Sequence, residues 1–584
     1  MVVGHLAGVH LRKRKRFYVL FFGLIISIVC LLQFSSALFE SHISNKIIEQ
    51  LHTKYILNGI KEPFWDDDIC VEYFDSLYAF DSDWKIRDFF HNYSWFQWSE
   101  GIFDSVTHLR VYGHCFVSNA VSVPALKMED IETRLFPMFT KKIPVFTRWD
   151  GFSPDEFPIL SNLPKDNIEH TSRIEGSPTG SFWRTAKEHY NGRGIVISVS
   201  DGIGVNEVKS LMRTLRLLKN RLPIQVVHKG DLSDYSIGEI VNAGRAKLTI
   251  EISGKDLDVG YPQEVWFVNA GNCITQESLQ LFQRFNNKWI ASLFNSFEEM
   301  ILLDTDVAPV VNPAELFETK EYLDNGAHFF RDRPLNEYTK RSSVQLFKNL
   351  MVSEKEYELF RFPRVSKVTL QNPFFKVRSK HVMESGVVTI SRSKNLPGLL
   401  VATVLQLWRP TSEPLHGDKE LFWLGQSISG NDDYQFNRYA GSAIGMLEHN
   451  DHEDSVHICS TQIGHFDENF RLLWVNGGLK NCKFPSSGYD YSKNKALRRV
   501  FQSADDLKKH YESSIVIDGA LVPMYPLDIR KVQGSMFKQN YDLGCLGYVW
   551  CASNSPGTPN VKTVRFNDEQ IGSMRRIIEV WNIN

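Results

Sequence analysis

The chain has 584 residues, with 66 Lys and Arg against 68 Asp and Glu, for a formal net charge of −2. That length leaves room for more than one domain, or for one domain with large additions, and the near balance excludes a protein held to nucleic acid by a global basic field. Aromatic residues make up 12% of the chain and Trp numbers 13, enough to offer stacking surface to sugar rings besides filling a core.

Arg12-Lys13-Arg14-Lys15-Arg16 precedes an uncharged run from Phe17 to Phe39. About twenty apolar residues span a hydrocarbon core of roughly 30 Å. The basic cluster predicts a cytoplasmic tail over 1–16, a transmembrane signal anchor over 17–39 and all that follows Glu40 on the far side. Ser35-Ser36-Ala37 offers a cleavage site, but the run is long for a signal-peptide h-region, so an uncleaved anchor is expected. Residues 40–60 read as a stem, and 61–190 as an aromatic, proline-interrupted luminal region. Asn92-Tyr93-Ser94 is an N-glycosylation sequon with Asn92 as acceptor. Cys30 lies within the apolar run; the other seven cysteines permit three disulfides and one free thiol.

At Gly194 the pattern becomes that of an α/β domain. Residues 195–199 predict a strand, Ser200-Asp201-Gly202-Ile203-Gly204 a turn, and Val205, Val208, Leu211, Met212, Leu215 and Leu218 one helix face. Residues 223–227 and 265–268 predict further strands, giving a βαβ beginning of the nucleotide-binding kind; Asp201 and Gly202 could approach a nucleotide there. Phe282, Phe285, Trp289, Leu293 and Phe297 predict a helix face, from which Lys288 departs as a point charge able to meet a phosphate.

The run Met300 to Leu303 is a buried strand that stops at Asp304-Thr305-Asp306. Alternation along an extended chain puts Asp304 and Asp306 on one side. Two carboxylates there form a hard-oxygen site for Mn²⁺ or Mg²⁺ carrying a diphosphate, at the strand end where open α/β sheets bind ligands. Asp66/Asp68, Asp81/Asp83 and Asp256/Asp258 repeat the spacing in polar surroundings, where a solvated turn explains them. After a loop-rich insertion to about Lys380, residues 383–390 predict a strand in which Gly386 allows close backbone approach. His416-Gly417-Asp418-Lys419-Glu420 opens an aromatic helix, Leu421 to Leu424, and Gly464-His465-Phe466 precedes Leu472-Leu473-Trp474-Val475-Asn476-Gly477-Gly478.

Lys288 to Glu299 running into Leu302-Leu303-Asp304-Thr305-Asp306, with Phe329-Phe330-Arg331-Asp332-Arg333, Glu384-Ser385-Gly386-Val387-Val388, Gly417-Asp418-Lys419-Glu420 and Leu473 to Gly478, resembles the fungal Golgi α-mannosyltransferases of the MNN type (glycosyltransferase family 71), closer to the α-1,3 branch. The motif order is also similar, more distantly, to glycogenin-like retaining transferases. Lys419 departs from the Gln of the Gly-Asp-Gln motif there, which puts any sugar contact at that position in doubt.

The resemblance implies a GT-A type nucleotide-sugar transferase fold (a Rossmann-like mixed sheet) over 191–482, with 483–584 as an extension packed on it. It implies a single-pass type II Golgi membrane protein, itself a glycoprotein, that moves mannose from GDP-mannose to a terminal mannose of glycoprotein N- or O-glycans with retention. Asp304, Asp306 and His465 would hold Mn²⁺ or Mg²⁺; Lys288, Asp201, Gly202, Ser385, Gly386 and Gly478 would bind the donor. Asp418, with Glu384 in reserve, would be the carboxylate near the reacting carbon. Two alternatives stay open, an α-1,2-mannosyltransferase of the same family and a non-catalytic glycan-binding subunit of a transferase complex.

Overall fold

The apolar runs become the strands of a central sheet, and their burial decides the architecture. Ile195, Ile197, Ile224, Val226, Val265, Ile301 and Leu302 are fully shielded, as strands covered on both faces must be. The computed structural model of the protein describes residues 42–58, 66–91, 94–160, 180–252, 255–258, 260–450, 455–524, 536–555 and 560–583. The expected anchor over 17–39 and the Asn92 sequon lie outside these. Among the described residues no helix is long and apolar enough to cross a membrane.

The central sheet has eight strands in the order Val145–Arg148, Val265–Asn269, Ile224–His228, Arg193–Ser198, Glu299–Leu303, Met383–Ser391, Ala327–Arg331 and Gln435–Ala440. The second to fifth are parallel, while Val145–Arg148 and Met383–Ser391 add on antiparallel. From Arg193–Ser198 the chain steps outward twice, then returns to its other side at Glu299–Leu303. This reversal is the switch point at which an α/β sheet opens a crevice. Helix Ile203–Leu217 covers one face with Val205, Val208, Leu211, Met212 and Leu215, all buried, the face its spacing predicts.

Val307–Pro309, directly after the acidic pair, leaves this sheet for a second one, ordered Val561–Arg565, Gly519–Pro523, Ser442–Gly445, Ile463–Phe466, Leu472–Asn476, Val307–Pro309. One core joins the two: Ile197 and Ile301 from the first share it with Ala308, Val475 and Ala520 from the second. Residues beyond Cys482 are therefore part of the same folded body. Helix Asp568–Trp581 continues the theme, its last turn accepting the Ser210 hydroxyl at the Trp581 carbonyl (2.6 Å).

Helices Ile43–His52, Asp66–Phe80, Trp95–Tyr112 and Ala125–Leu135 share a core with Arg392–Leu407 and Leu421–Ile428. Ile47, Ile48 and Leu51 are buried there, so the segment read as a stem starts as a packed helix. Gly425 brings the helix pair 392–407 and 421–428 together; a Cβ there would lie 2.6 Å from the Gly398 carbonyl. Disulfides join Cys70 to Cys115, Cys459 to Cys551 and Cys482 to Cys545, leaving Cys273 free and buried, the three-plus-one division the count allows.

Two stretches differ from expectation. The helix expected through Phe282 to Phe297 is α-helical only over Asn287–Leu293, behind a single 3-10 turn at Arg284–Asn286, because Arg284 takes φ +52° and breaks the chain before it; Phe285 is 55% exposed. The expected loop-rich insertion instead holds four short helices between Arg341 and Val377, three of them started by the side chains of Ser353, Ser366 and Asn372 as N-caps.

Candidate active site

Strand Glu299–Leu303 ends at Asp304 and the chain reverses at once, the Val307 amide donating to the Asp304 carbonyl at 3.2 Å. The two acids thus meet across a tight turn rather than by strand alternation. Its backbone is pinned on both sides. The Asp304 amide donates to the Gly386 carbonyl (2.9 Å), and the Asp306 carbonyl accepts the amides of Gly477 (3.2 Å) and Gly478 (2.8 Å). Those glycines sit at φ +106° and +76°, which side-chain-bearing residues rarely adopt. Thr305 donates its hydroxyl to Glu207 of the covering helix. Asp304, Thr305 and Asp306 all line one cleft of about 810 Å³.

Lys288 is the hub of the cleft floor. Its ammonium lies 2.8 Å from Asp304 Oδ1 and 3.0 Å from Asp418 Oδ2, and donates to the Ser385 carbonyl and hydroxyl, both at 3.1 Å. Burial opposes its charge, but the two carboxylates outweigh burial and raise its pKa. Arg392 fixes the helix that carries Lys288. Its buried guanidinium donates to the carbonyls of Leu293 (2.6 Å), Asn295 (2.8 Å) and Phe297 (2.7 Å), just past the helix end.

A second hub stands beside the first. Lys419 donates to Asp332 Oδ2 at 2.8 Å and to Glu384 Oε2 at 2.9 Å. Burial works against both carboxylates, but Lys419 holds Asp332 well below its ordinary value and lowers Glu384 as well. Glu420 anchors the same loop from below, accepting the amides of Val382 (2.8 Å) and Met383 (3.1 Å); burial pushes its carboxyl up to about 7.

Lys483 reaches the acidic turn from the far side, 3.1 Å from Asp306 Oδ2, and the Cys482–Cys545 disulfide fixes its backbone neighbour. Even so, the cleft lining carries eight carboxylates (Asp201, Glu207, Asp304, Asp306, Asp332, Glu337, Glu384 and Asp418) against five Lys and Arg. Burial pushes Asp304 up to about 7, with Asp418 and Asp306 adding to it against Lys288, and Glu207 is raised by burial and by Asp306. A cleft of that sign repels a diphosphate. The donor set of Asp304 and Asp306 therefore fits a hard divalent cation, which would relieve the paired acids and accept phosphate oxygens.

Lys288, Asp201, Asp304, Asp306, Glu384, Ser385 and Asp418 line the cleft together. Asp201 is partly engaged elsewhere, accepting from the Ser233 amide and hydroxyl. Gly202 takes φ +123° at the start of helix Ile203–Leu217. Gly386 lies under the acidic turn against Val307 and Trp474, and Gly478 lines an adjoining cavity of about 580 Å³; both position the turn and neither lines the cleft. His465 is a correction. Its ring is fully buried and stacks on Trp474 at 4.0 Å, with Phe330 edge-on at 5.4 Å. Ile463 reaches the cleft, and His465 lies two residues, roughly 6–7 Å, further along the strand. It does not complete the ligand set of Asp304 and Asp306. Burial lowers its pKa to about 4, so the ring is neutral.

Glu207, His381, Lys483 and Tyr548 also line the cleft and carry no signal in the sequence. Glu207 falls on the polar side of a helix, and Lys483 and Tyr548 come from the stretch without motifs.

Fold and cleft together describe an α/β enzyme whose ligand site opens at the sheet's switch point. Residues 192–467 match the family described as "Mannosyltransferase putative". The chain is 31% identical to the Saccharomyces cerevisiae α-1,3-mannosyltransferase MNT2, over 83% of this chain and 87% of that one, and 28% identical to the S. cerevisiae α-1,3-mannosyltransferase MNT3, over 93% and 86%. Among solved structures, the galactosyltransferase LgtC with donor and acceptor sugar analogues aligns at a TM-score of 0.26 and 9% identity, over 42% of this chain and 73% of that one; at that score the alignment decides nothing. The protein is a glycosyltransferase. It belongs to the family of fungal MNN-type mannosyltransferases.

Proposed function

We propose that this α-1,3-mannosyltransferase takes mannose from GDP-mannose and adds it, with retention, to a mannose-terminated glycan on glycoproteins, in a GT-A type site at the switch point. The observation that carries this reading is the acidic turn 304–306, aimed into a net-acidic cleft at the carboxyl end of a central parallel strand. Asp304 and Asp306 would hold Mn²⁺ or Mg²⁺, a Lewis acid that neutralises charge on the departing diphosphate. Lys288 and Lys483, already on those acids, supply donors to the phosphates.

The chain's other groups divide the remaining work. Asp418 commits one oxygen to Lys288, whereas Glu384 commits one to Lys419 and the other to the Gly386 amide. Asp418 is therefore the better carboxylate to stabilise positive charge at the sugar carbon, with Glu384 as a fixed wall. Lys419 has three N–H donors and uses two on carboxylates, leaving one for a sugar hydroxyl in place of the Gln of more distant relatives. Phe285, Tyr548 and Trp550 line the cleft and offer apolar faces to sugar rings.

The charge-flanked apolar run over 17–39 and the three disulfides support a single-pass Golgi protein with a luminal catalytic part. The test is a donor panel. The chain from Glu40 onward is incubated with GDP-mannose, UDP-glucose and UDP-galactose, each with an α-mannobiose acceptor and Mn²⁺, and the product linkage is read by NMR. The expected outcome is an α-1,3 linkage from GDP-mannose alone. An α-1,2 product, or a UDP-sugar used as well as GDP-mannose, overturns the reading; absence of donor turnover points to a glycan-binding subunit.

A further inference from the structure

The cleft carries a second cluster that donor chemistry does not use. Glu337 comes from the loop after strand Ala327–Arg331, His381 from just before Met383–Ser391, and His416 from the loop leading to Asp418. All three line the cleft, and one ligand atom from each can be chosen so that all lie within 4.8 Å of one another. His381 is only 7% exposed. Its Nδ1 lies 3.0 Å from Asp332 Oδ2, while its Nε2 has no hydrogen-bond partner and stands 3.2 Å from Glu337 Oε2. The His416 ring centroid is 4.9 Å from that of His381.

Asp332 Oδ2, which accepts from Lys419 at 2.8 Å and lies 3.0 Å from His381 Nδ1, places the His381 proton on Nδ1 and leaves the Nε2 lone pair for the cluster. A carboxylate that orients a histidine in this way is the outer-shell device of metal sites. Two imidazoles and a carboxylate are the donor set of a three-ligand zinc site with one open position. Ligands about 2.1 Å from a tetrahedral ion lie roughly 3.4 Å apart, so closing the site needs at most about 1.4 Å of movement between any two ligand atoms. Glu337 and His416 are exposed and free to supply it by side-chain rotation.

We propose that Glu337, His381 and His416 bind a divalent cation of the zinc class, separate from the cation at Asp304 and Asp306, with its open position toward the cleft. This does not depend on the identity of the donor. Without a metal, a protonated His381 bridging Asp332 and Glu337 would explain the same contacts, and the two cases separate in a binding experiment.

Purified full chain carrying Asp304→Asn and Asp306→Asn is freed of metal, then titrated with Zn²⁺ by equilibrium dialysis and with Co²⁺ by visible absorption. The expected result is one Zn²⁺ equivalent and a low-coordinate Co²⁺ spectrum. Adding His416→Ala or Glu337→Gln, both at exposed positions, weakens binding at least about tenfold. Adding Asp332→Asn weakens it by about 10–100-fold, and a thermal melt of each variant checks its fold. Absence of stoichiometric Zn²⁺, or Zn²⁺ binding unchanged by His416→Ala and Glu337→Gln, overturns the proposal.

Discussion

Lys288 ties the acidic turn to the loop of Asp418, because its ammonium touches both Asp304 and Asp418. Lys288→Met leaves two carboxylates in a buried setting without their cation. Breaking a buried pair costs about 3–5 kcal/mol, so urea denaturation at pH 7 is expected to show a loss of that order. The loss shrinks at lower pH, since Asp304 already sits near 7 and can take a proton. Donor turnover falls by at least about 100-fold, of the order expected when one preorganised transition-state donor is removed; a loss of activity below about fivefold contradicts the role. The pair Asp304 and Asp306 is legible in the sequence because it ends a strong apolar run, whereas Lys288 and Asp418 are singled out only by the family resemblance. Lys483 was not legible, since its meeting with Asp306 spans 177 positions and is made by a strand exchange between sheets. His465 was misplaced for a related reason: resemblance names a residue type, while the depth of that residue along its strand depends on Trp474 and Phe330.

Among elements, the short helix Asn287–Leu293 matters most, and Arg392 holds its end. Among the described residues Arg392 has no carboxylate partner; its two terminal nitrogens donate to four acceptor atoms of residues 293–297, and burial lowers its pKa to about 10. Lysine cannot reproduce a planar fork, so Arg392→Lys leaves buried carbonyls unpaired at roughly 1–3 kcal/mol each. The expected outcome is a midpoint shift worth at least about 2 kcal/mol in denaturant, with a raised KM for the donor as Lys288 shifts; an unchanged midpoint rejects this role for Arg392. The predicted strands 195–199, 223–227, 265–268 and 383–390 match the observed ones to within a residue or two at each end, because continuous apolar runs permit little else. The expected long aromatic helix failed at Arg284, where a backbone turn with no hydrophobic signature overrides a helical spacing.

For the molecule as a whole, a boundary is expected at Cys482, and the second sheet runs across it. Strands Gly519–Pro523 and Val561–Arg565 belong to the sheet that also contains Val307–Pro309, a pairing of non-local segments that no single stretch of sequence displays. Global stability carries a pH signature from buried neutral histidines. His328 is 1% exposed, and burial lowers its pKa to about 3. In the unfolded chain it titrates near 6.5, so its contribution is complete above that value and is lost as pH falls toward 3. Between pH 7 and pH 5 this amounts to about 2 kcal/mol. His328→Leu should remove that much of the stability difference between the two pH values, measured within the variant so that its packing cost cancels; an unchanged difference places a charged ring at the site.

The central claim is that the turn at Asp304 and Asp306 brings a divalent cation to the donor diphosphate. It is tested most directly by measuring Mn²⁺-dependent mannose transfer from GDP-mannose to an α-mannoside by the wild-type chain and by Asp306→Ala. Activity in the wild type that vanishes on chelation and returns with Mn²⁺, together with a variant at least about 1000-fold slower and melting at the wild-type temperature, is the predicted result. A variant that transfers mannose at near wild-type rate, or a wild type indifferent to chelation, would contradict it.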